Sequence, residues 1–217
     1  YTSPLLLIMI SLSLAIFSAS TAKTLDKWLN DSVYYQSGAD LALQEYVMEQ
    51  TSASANCSAG DPACGGEIQL SSLDVYSMGF TAVEQHLGLP GVSGATRVGI
   101  YKGSYSYGVG EQACTVMGID RLEFPQVAFY RDDFSAASLG ALMNSLAIEP
   151  MGVLIPQQMA DELGLGVGDH LSVSANILDI NYAHDHVITG IYNYFPTVYP
   201  SETPTVIANL DAIFDNP

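Results

Sequence analysis

Positive charge is scarce in this 217-residue chain: six Lys and Arg stand against 23 Asp and Glu, a formal charge of −17 at pH 7. No basic cluster offsets the excess, so phosphate backbones are repelled and nucleic acid binding is excluded. Anionic headgroups are repelled too, so the folded part should stand away from a lipid surface. No GxxxxGK[ST] loop occurs, so any ATP must be bound elsewhere, and there is no G-x-S-x-G. Cysteine is limited to three residues. Cys57 and Cys64 flank the polar loop NCSAGDPACGG without the histidine or second cysteine pair of a zinc site, and read as a local disulfide. Cys114 reads as a small buried apolar residue on a strand.

Charge of either sign is missing altogether from Pro4 to Ala22, PLLLIMISLSLAIFSASTA. As a helix this stretch matches the thickness of a bilayer's hydrocarbon core, and we read it as a transmembrane helix in contact with lipid over residues 4–22. The pattern continues through Lys23 to Leu29 as an amphipathic stalk, with Trp28, Tyr34 and Tyr35 near the level of an aromatic belt as interface anchors. The alternative is a secretory signal peptide cut after Ser20-Thr21-Ala22. Against it stand a start at Tyr1 without Met or a basic n-region, and the charged helical continuation; the chain is expected to be part of a longer polypeptide.

After the span about 195 residues remain, enough for one large domain or two small ones. The stalk should end near Ser37-Gly38, with Gly38 as the C′ residue. Strands are expected at Ala39–Val47, Ala95–Ser106, Cys114–Ile119, Val127–Arg131, Val153–Ile155, Leu171–Leu178, His186–Tyr192 and Thr205–Asn209. Helices are expected over Ser77–Leu87, through Leu139–Leu146 after a cap at Asp132–Ser135, and from Pro156 to Leu163-Gly164. The mixture argues an α+β fold. Its organisation reads as a transmembrane helix to about residue 23, a helical stalk over 24–37, and a domain over 38–217 of two α/β subdomains, about 38–135 and 136–217.

Several pieces taken in order carry a resemblance: the span and stalk SPLLLIMISLSLAIFSASTAKTLDKWL, the exit GAD at Gly38–Asp40, LPGVSGATRVGIY at Leu89–Tyr101, and MGID at Met117–Asp120. VLIPQQMADELGLGVGDHLSV at Val153–Val173 and TGIYNYFPTVYP at Thr189–Pro200 complete the series. Together they resemble the extracytoplasmic, MacB-like periplasmic core domain of FtsX-like ABC-transporter permeases. The resemblance implies a cell-membrane protein with residues after about 23 outside the cytoplasm and no catalysis of its own. It also implies a cytoplasmic ABC ATPase subunit and a second permease subunit as partners, and a role in substrate handling and transmission of ATP-driven motion.

Candidate chemistry is thin, and no catalytic, cofactor or metal residues are assigned. Asp179, His184, Asp185 and His186, with His170 nearby, form the one constellation suggesting a metal, since alternate strand residues share a face. A predicted hairpin tip across Asp179–Asp185 favours a solvated turn instead. The Tyr-rich stretches Tyr101–Tyr107 and Tyr192–Tyr199 suit half-buried strands; the alternative is an exposed aromatic surface for a partner. The second functional reading is a membrane-anchored or secreted non-catalytic binding module using those tyrosines.

Overall fold

A computed structural model describes residues 2–44, 83–108, 110–177, 180–200 and 203–214. The chain divides into two compact units, one of Tyr1–Ala42 with Gly94–Pro217 and one of Leu43–Ser93. In the second unit the described element is a short helix, α2 (Val83–Leu87), ended by a turn in which Gly91 takes a φ of +92°. Cys57 and Cys64 lie outside the described residues, as does the expected helix start at 77–82.

The first unit opens with α1 (Thr2–Ser37), a single helix of 36 residues, about 54 Å long. It is long and apolar enough to cross a membrane. The large apolar side chains from Leu5 to Phe17 all leave more than half their surface open. Three of the helix's hydroxyls are satisfied within it: Ser11 donates to the Ile8 carbonyl, Thr21 to that of Phe17 and Thr24 to that of Ser20, each at 2.9 Å. Such back-bonding lets Ser and Thr sit on an apolar helix without an unmet donor. Gly38 ends the helix as expected, with φ +77° and its amide on the Tyr34 carbonyl. The chain then runs irregularly over residues 39–44, not as the expected strand.

A closed six-stranded barrel follows. Strands β1 (Val98–Ser106) and β2 (Glu111–Ile119) form the expected hairpin. β2 runs parallel to β6 (Thr205–Asn209), which lies antiparallel to β3 (Gly152–Pro156). β3 is parallel to β5 (Ile180–Tyr192), and β5 forms a hairpin with β4 (His170–Ile177). β4 closes the ring on β1 through Lys102↔Asn176 to Ser106↔Ser172. Strands from both sides of residue 135 therefore share one barrel, and the expected subdomain boundary there does not divide it.

The barrel has two cores. Alternation places Cys114, Val116, Val153, Leu171, Val173, Val206 and Ala208 inside, and Met117, Ile119, Leu154 and Ile207 outside. α4 (Leu139–Ile148) covers the outer face with Leu139, Leu142, Met143 and Leu146. Its N-cap is Ser138, whose hydroxyl accepts from the Ala141 amide at 3.3 Å, and not the expected Asp132–Ser135. A bulge makes β5 serve both cores: Val153 pairs with Ile188 but Leu154 with Gly190, leaving Thr189 as an extra residue. Ile188 thus faces inward and Tyr192 outward, although the two are an even number of residues apart. The ends are closed by α5 (Gln157–Leu163), which contributes Met159 and Ala160, and by α6 (Leu210–Phe214), which contributes Ile213. These helices follow the antiparallel strands β3 and β6, so they cap opposite ends.

The expected strand at Val127–Arg131 is absent. With Pro125 at its start, α3 (Phe124–Val127) makes one short turn, after which the chain is irregular through Arg131.

Candidate functional site

The feature that sets this unit apart from a plain barrel is the joint between α1 and the barrel domain. Asp31, Tyr35 and Gly38 lie at i, i+4 and i+7, one face of the helix, and all are partly or fully buried. Receiving them are the irregular segment 128–134 and the stretch after β5, residues 193–199. The Tyr35 ring meets Phe134 and Tyr199 edge-on, with centroids 5.4 and 5.2 Å away, and its hydroxyl donates to the Val198 carbonyl. Tyr34 stacks on Phe129 at 5.5 Å. Phe134 is itself fixed, its carbonyl accepting from the amides of Asn193 and Tyr194 at 2.9 Å.

Backbone bonds complete the joint. A helix leaves its last carbonyls without internal partners; here the Thr197 amide donates to the Tyr35 carbonyl at 3.0 Å, and the Phe129 amide to the Gly38 carbonyl at 2.7 Å. Arg131 adds an ion pair to Asp31 at 2.9 Å, shared with Asp133 at 2.6 Å. The guanidinium is 43% exposed, so the pair with Asp31 contributes less than about 1 kcal/mol. Aromatic pairs are worth about 0.5–1.5 kcal/mol each beyond their buried area, and hydrogen bonds about 1 kcal/mol. Ring contacts and backbone capping hold the helix end; the ion pair trims its orientation.

Of the expected interface anchors, Trp28 is 63% exposed on the helix. Tyr34 and Tyr35, expected beside the bilayer, have their rings on protein, which gives them a docking role that their sequence position did not indicate. Asp31, Arg131, Phe129 and Phe134 were missed. The 31/35/38 spacing was the available signal, but without the barrel it names no partner.

His184 and His186 are not at a hairpin tip. The β4–β5 ladder continues beyond them to Ile177↔Ile180, and the two histidines pair with Val173 and Leu171 on the inward face. Their rings meet edge-on at 6.3 Å. His186 Nδ1 contacts the Met151 carbonyl at 3.1 Å, while His184 Nε2 is buried without a partner. Burial, then the neighbouring His184, pushes the His186 imidazole below its ordinary pKa, and outweighs the opposing Met151 carbonyl and Asp185. The adjoining cavity, between Val116, Val153, Val173 and Val206, measures about 20 Å³, room for one water and not for a substrate. No cluster of three metal-ligating side chains occurs among the described residues. His170 and Asp185 are exposed, and Asp179 lies outside the described residues.

The tyrosines divide. Tyr105 and Tyr192 are buried, their hydroxyls on Gln112 Oε1 and the Thr205 carbonyl, while Tyr107, Tyr194 and Tyr199 are about half exposed. Tyr194 borders an open groove with Gln157, Gln158, Asp161 and Asn193. Burial pushes the Cys114 thiol up to about 12, so it is no nucleophile.

Fold and joint together define a strand-rich domain mounted on one apolar helix. No family model matches the chain, and no curated protein matches it. Among solved structures it is similar to the extracellular domain of a noncanonic ABC-type transporter, YknZ, from Gram-positive bacteria. Identity is 12% and the TM-score 0.39, covering 59% of this chain and 60% of that chain. A likeness of that size carries no argument, and the functional reading rests on the chain's own residues.

Proposed function

We propose that this chain is the extracytoplasmic domain, with its incoming membrane helix, of an ABC-transporter permease subunit of the FtsX/MacB type. In this reading residues 4–22 cross the bilayer, and the barrel stands outside the cytoplasm. The domain handles a substrate or partner and passes on motion generated by a separate cytoplasmic ATPase, alongside a second permease subunit. The observation that carries the reading is the joint: α1 runs without a break from the apolar stretch to Ser37 and is tied to the barrel by Tyr35, Gly38 and Asp31. A helix continuous from bilayer to domain transmits tilt or axial displacement without a soft hinge. The ordered sequence resemblance supports the same reading. No residue is proposed as catalytic.

The open groove beside Tyr194 favours a second reading, a non-catalytic binding module. The two separate on one experiment: purification of the full-length protein from membranes, with N-terminal sequencing and identification of co-purifying chains. The permease reading expects the apolar stretch retained and a nucleotide-hydrolysing partner bound. A mature chain beginning just after Ala22 and released in soluble form would refute it and favour the binding module.

A further inference from the structure

We propose that the turn Phe195–Val198 is a strained, two-position catch for the end of α1. Phe195 and Val198 bridge one another, and the Val198 amide donates to the Phe195 carbonyl at 3.0 Å, so Pro196 and Thr197 occupy the corners. Proline followed by a positive φ is the pattern of a type II turn, whose third position ordinarily holds Gly or Asn. Here it holds Thr197 at φ +64°, the one non-glycine residue with positive φ among those described. For a β-branched side chain that conformation is a genuine outlier, and it persists only where the surroundings over-determine it.

Those surroundings belong to α1. The Thr197 amide donates to the Tyr35 carbonyl, and the Tyr35 hydroxyl to the Val198 carbonyl. The Thr197 methyl fills the space that Gly38 leaves open: a Cβ on Gly38 would stand 2.6 Å from Thr197 Cγ2. The root of the turn is anchored in the core, since Phe195 is fully buried and stacks on Phe124 at 5.4 Å. Contacts with α1 therefore hold the corner in its strained shape. When the helix end withdraws, Thr197 relaxes to negative φ and the receiving surface loses its form. The helix end is thus either seated or released, with no intermediate position. Its use in passing motion from bilayer to barrel rests on the permease reading; the catch itself does not.

Amide hydrogen exchange on the full chain in lipid nanodiscs tests this, read at Phe129, whose amide is bonded only when the helix end is seated, with Ile207 of β6 as the folded reference. Thr197→Ala and Thr197→Gly both lose the methyl contact, but only Gly removes the strain, so Phe129 should exchange roughly tenfold more slowly in Thr197→Gly than in Thr197→Ala. Thr197→Ala should exchange faster than wild type. If Thr197→Gly exchanges as fast as Thr197→Ala or faster, the seated turn stores no strain and the proposal fails. A second pair of variants guards against a misfolded one. Gly38→Ala should open the joint strongly beside Thr197 and much less beside Gly at 197; equal effects in the two backgrounds would also overturn it. The exchange experiment involves no ATPase, so its failure is distinct from a failure of the permease reading.

Discussion

His186→Asn should flatten the acid side of this protein's stability curve. His186 sits in the barrel interior with Nδ1 on the Met151 carbonyl and His184 beside it, and its folded pKa is depressed below the ordinary value, chiefly by burial. The unfolded chain therefore takes up a proton near pH 6.5, while the folded barrel refuses it until a lower pH. Stability is then at its full value above about pH 6.5 and falls as pH drops from there to the depressed folded value, below which it levels off. Within that window one proton costs about 1.4 kcal/mol per pH unit, or roughly 3–6 °C in melting temperature for a domain of this size. Carboxylates titrate over part of the same range, so the quantity to compare is the difference between wild type and variant. Thermal melts of the full chain between pH 4.5 and 8 provide it. Asn retains a donor for the Met151 carbonyl but cannot be protonated, so its curve should lack this component. Identical slopes in the two proteins would mean that the imidazole titrates in the fold as it does in the unfolded chain, for instance because the site opens to solvent before unfolding.

Three further outcomes follow from the packing. Gly103→Ala should destabilise the barrel by about 2 kcal/mol or more, because its Cβ would stand 2.2 Å from the Ser174 carbonyl oxygen, a backbone atom that no rotamer can move; an unchanged melting temperature would contradict the β1–β4 closure. Arg131→Met should cost less than about 1 kcal/mol and leave Phe129 protected from exchange, whereas Tyr35→Phe, losing the bond to the Val198 carbonyl, should cost about 1 kcal/mol and expose Phe129; the reverse order would make the ion pair the main tie. With Cys57 and Cys64 replaced by Ser, Cys114 should resist alkylation at pH 8 until the barrel unfolds, since burial holds its thiol near 12; rapid labelling of the folded protein would count against its placement.

What could be read from the residues was mostly local. Gly38 marked the end of α1, the Tyr/Gly-rich turn marked the β1–β2 hairpin, and Pro156 and Gly164 bracketed α5, because each is set by backbone chemistry within a few residues. The strands β3 and β6 were apparent as short apolar runs. Barrel closure was not, because β1 meets β4 and β2 meets β6 across long separations that no local pattern encodes. The first half of β5 was mistaken for a turn because Asn181, His184 and Asp185 look solvated, although alternation sends His184 inward and leaves Asp185 outside. Ala128 to Arg131 resembled a strand by composition, yet its aromatic neighbourhood serves to receive a helix from more than ninety residues upstream, a use visible only in three dimensions.

The filled interior of the barrel bears on route. A hollow barrel of this kind would be a conduit, and cargo could be imagined threading it end to end. Here the interior is plugged by Met159 at one end and Ile213 at the other, with branched aliphatic side chains between them. The interior therefore offers no passage, and any ligand of this domain has to meet its outer wall. Recognition would then fall to exposed groups such as Trp28, Tyr194 and Tyr199, and substitutions inside the barrel would alter its stability while leaving recognition unchanged.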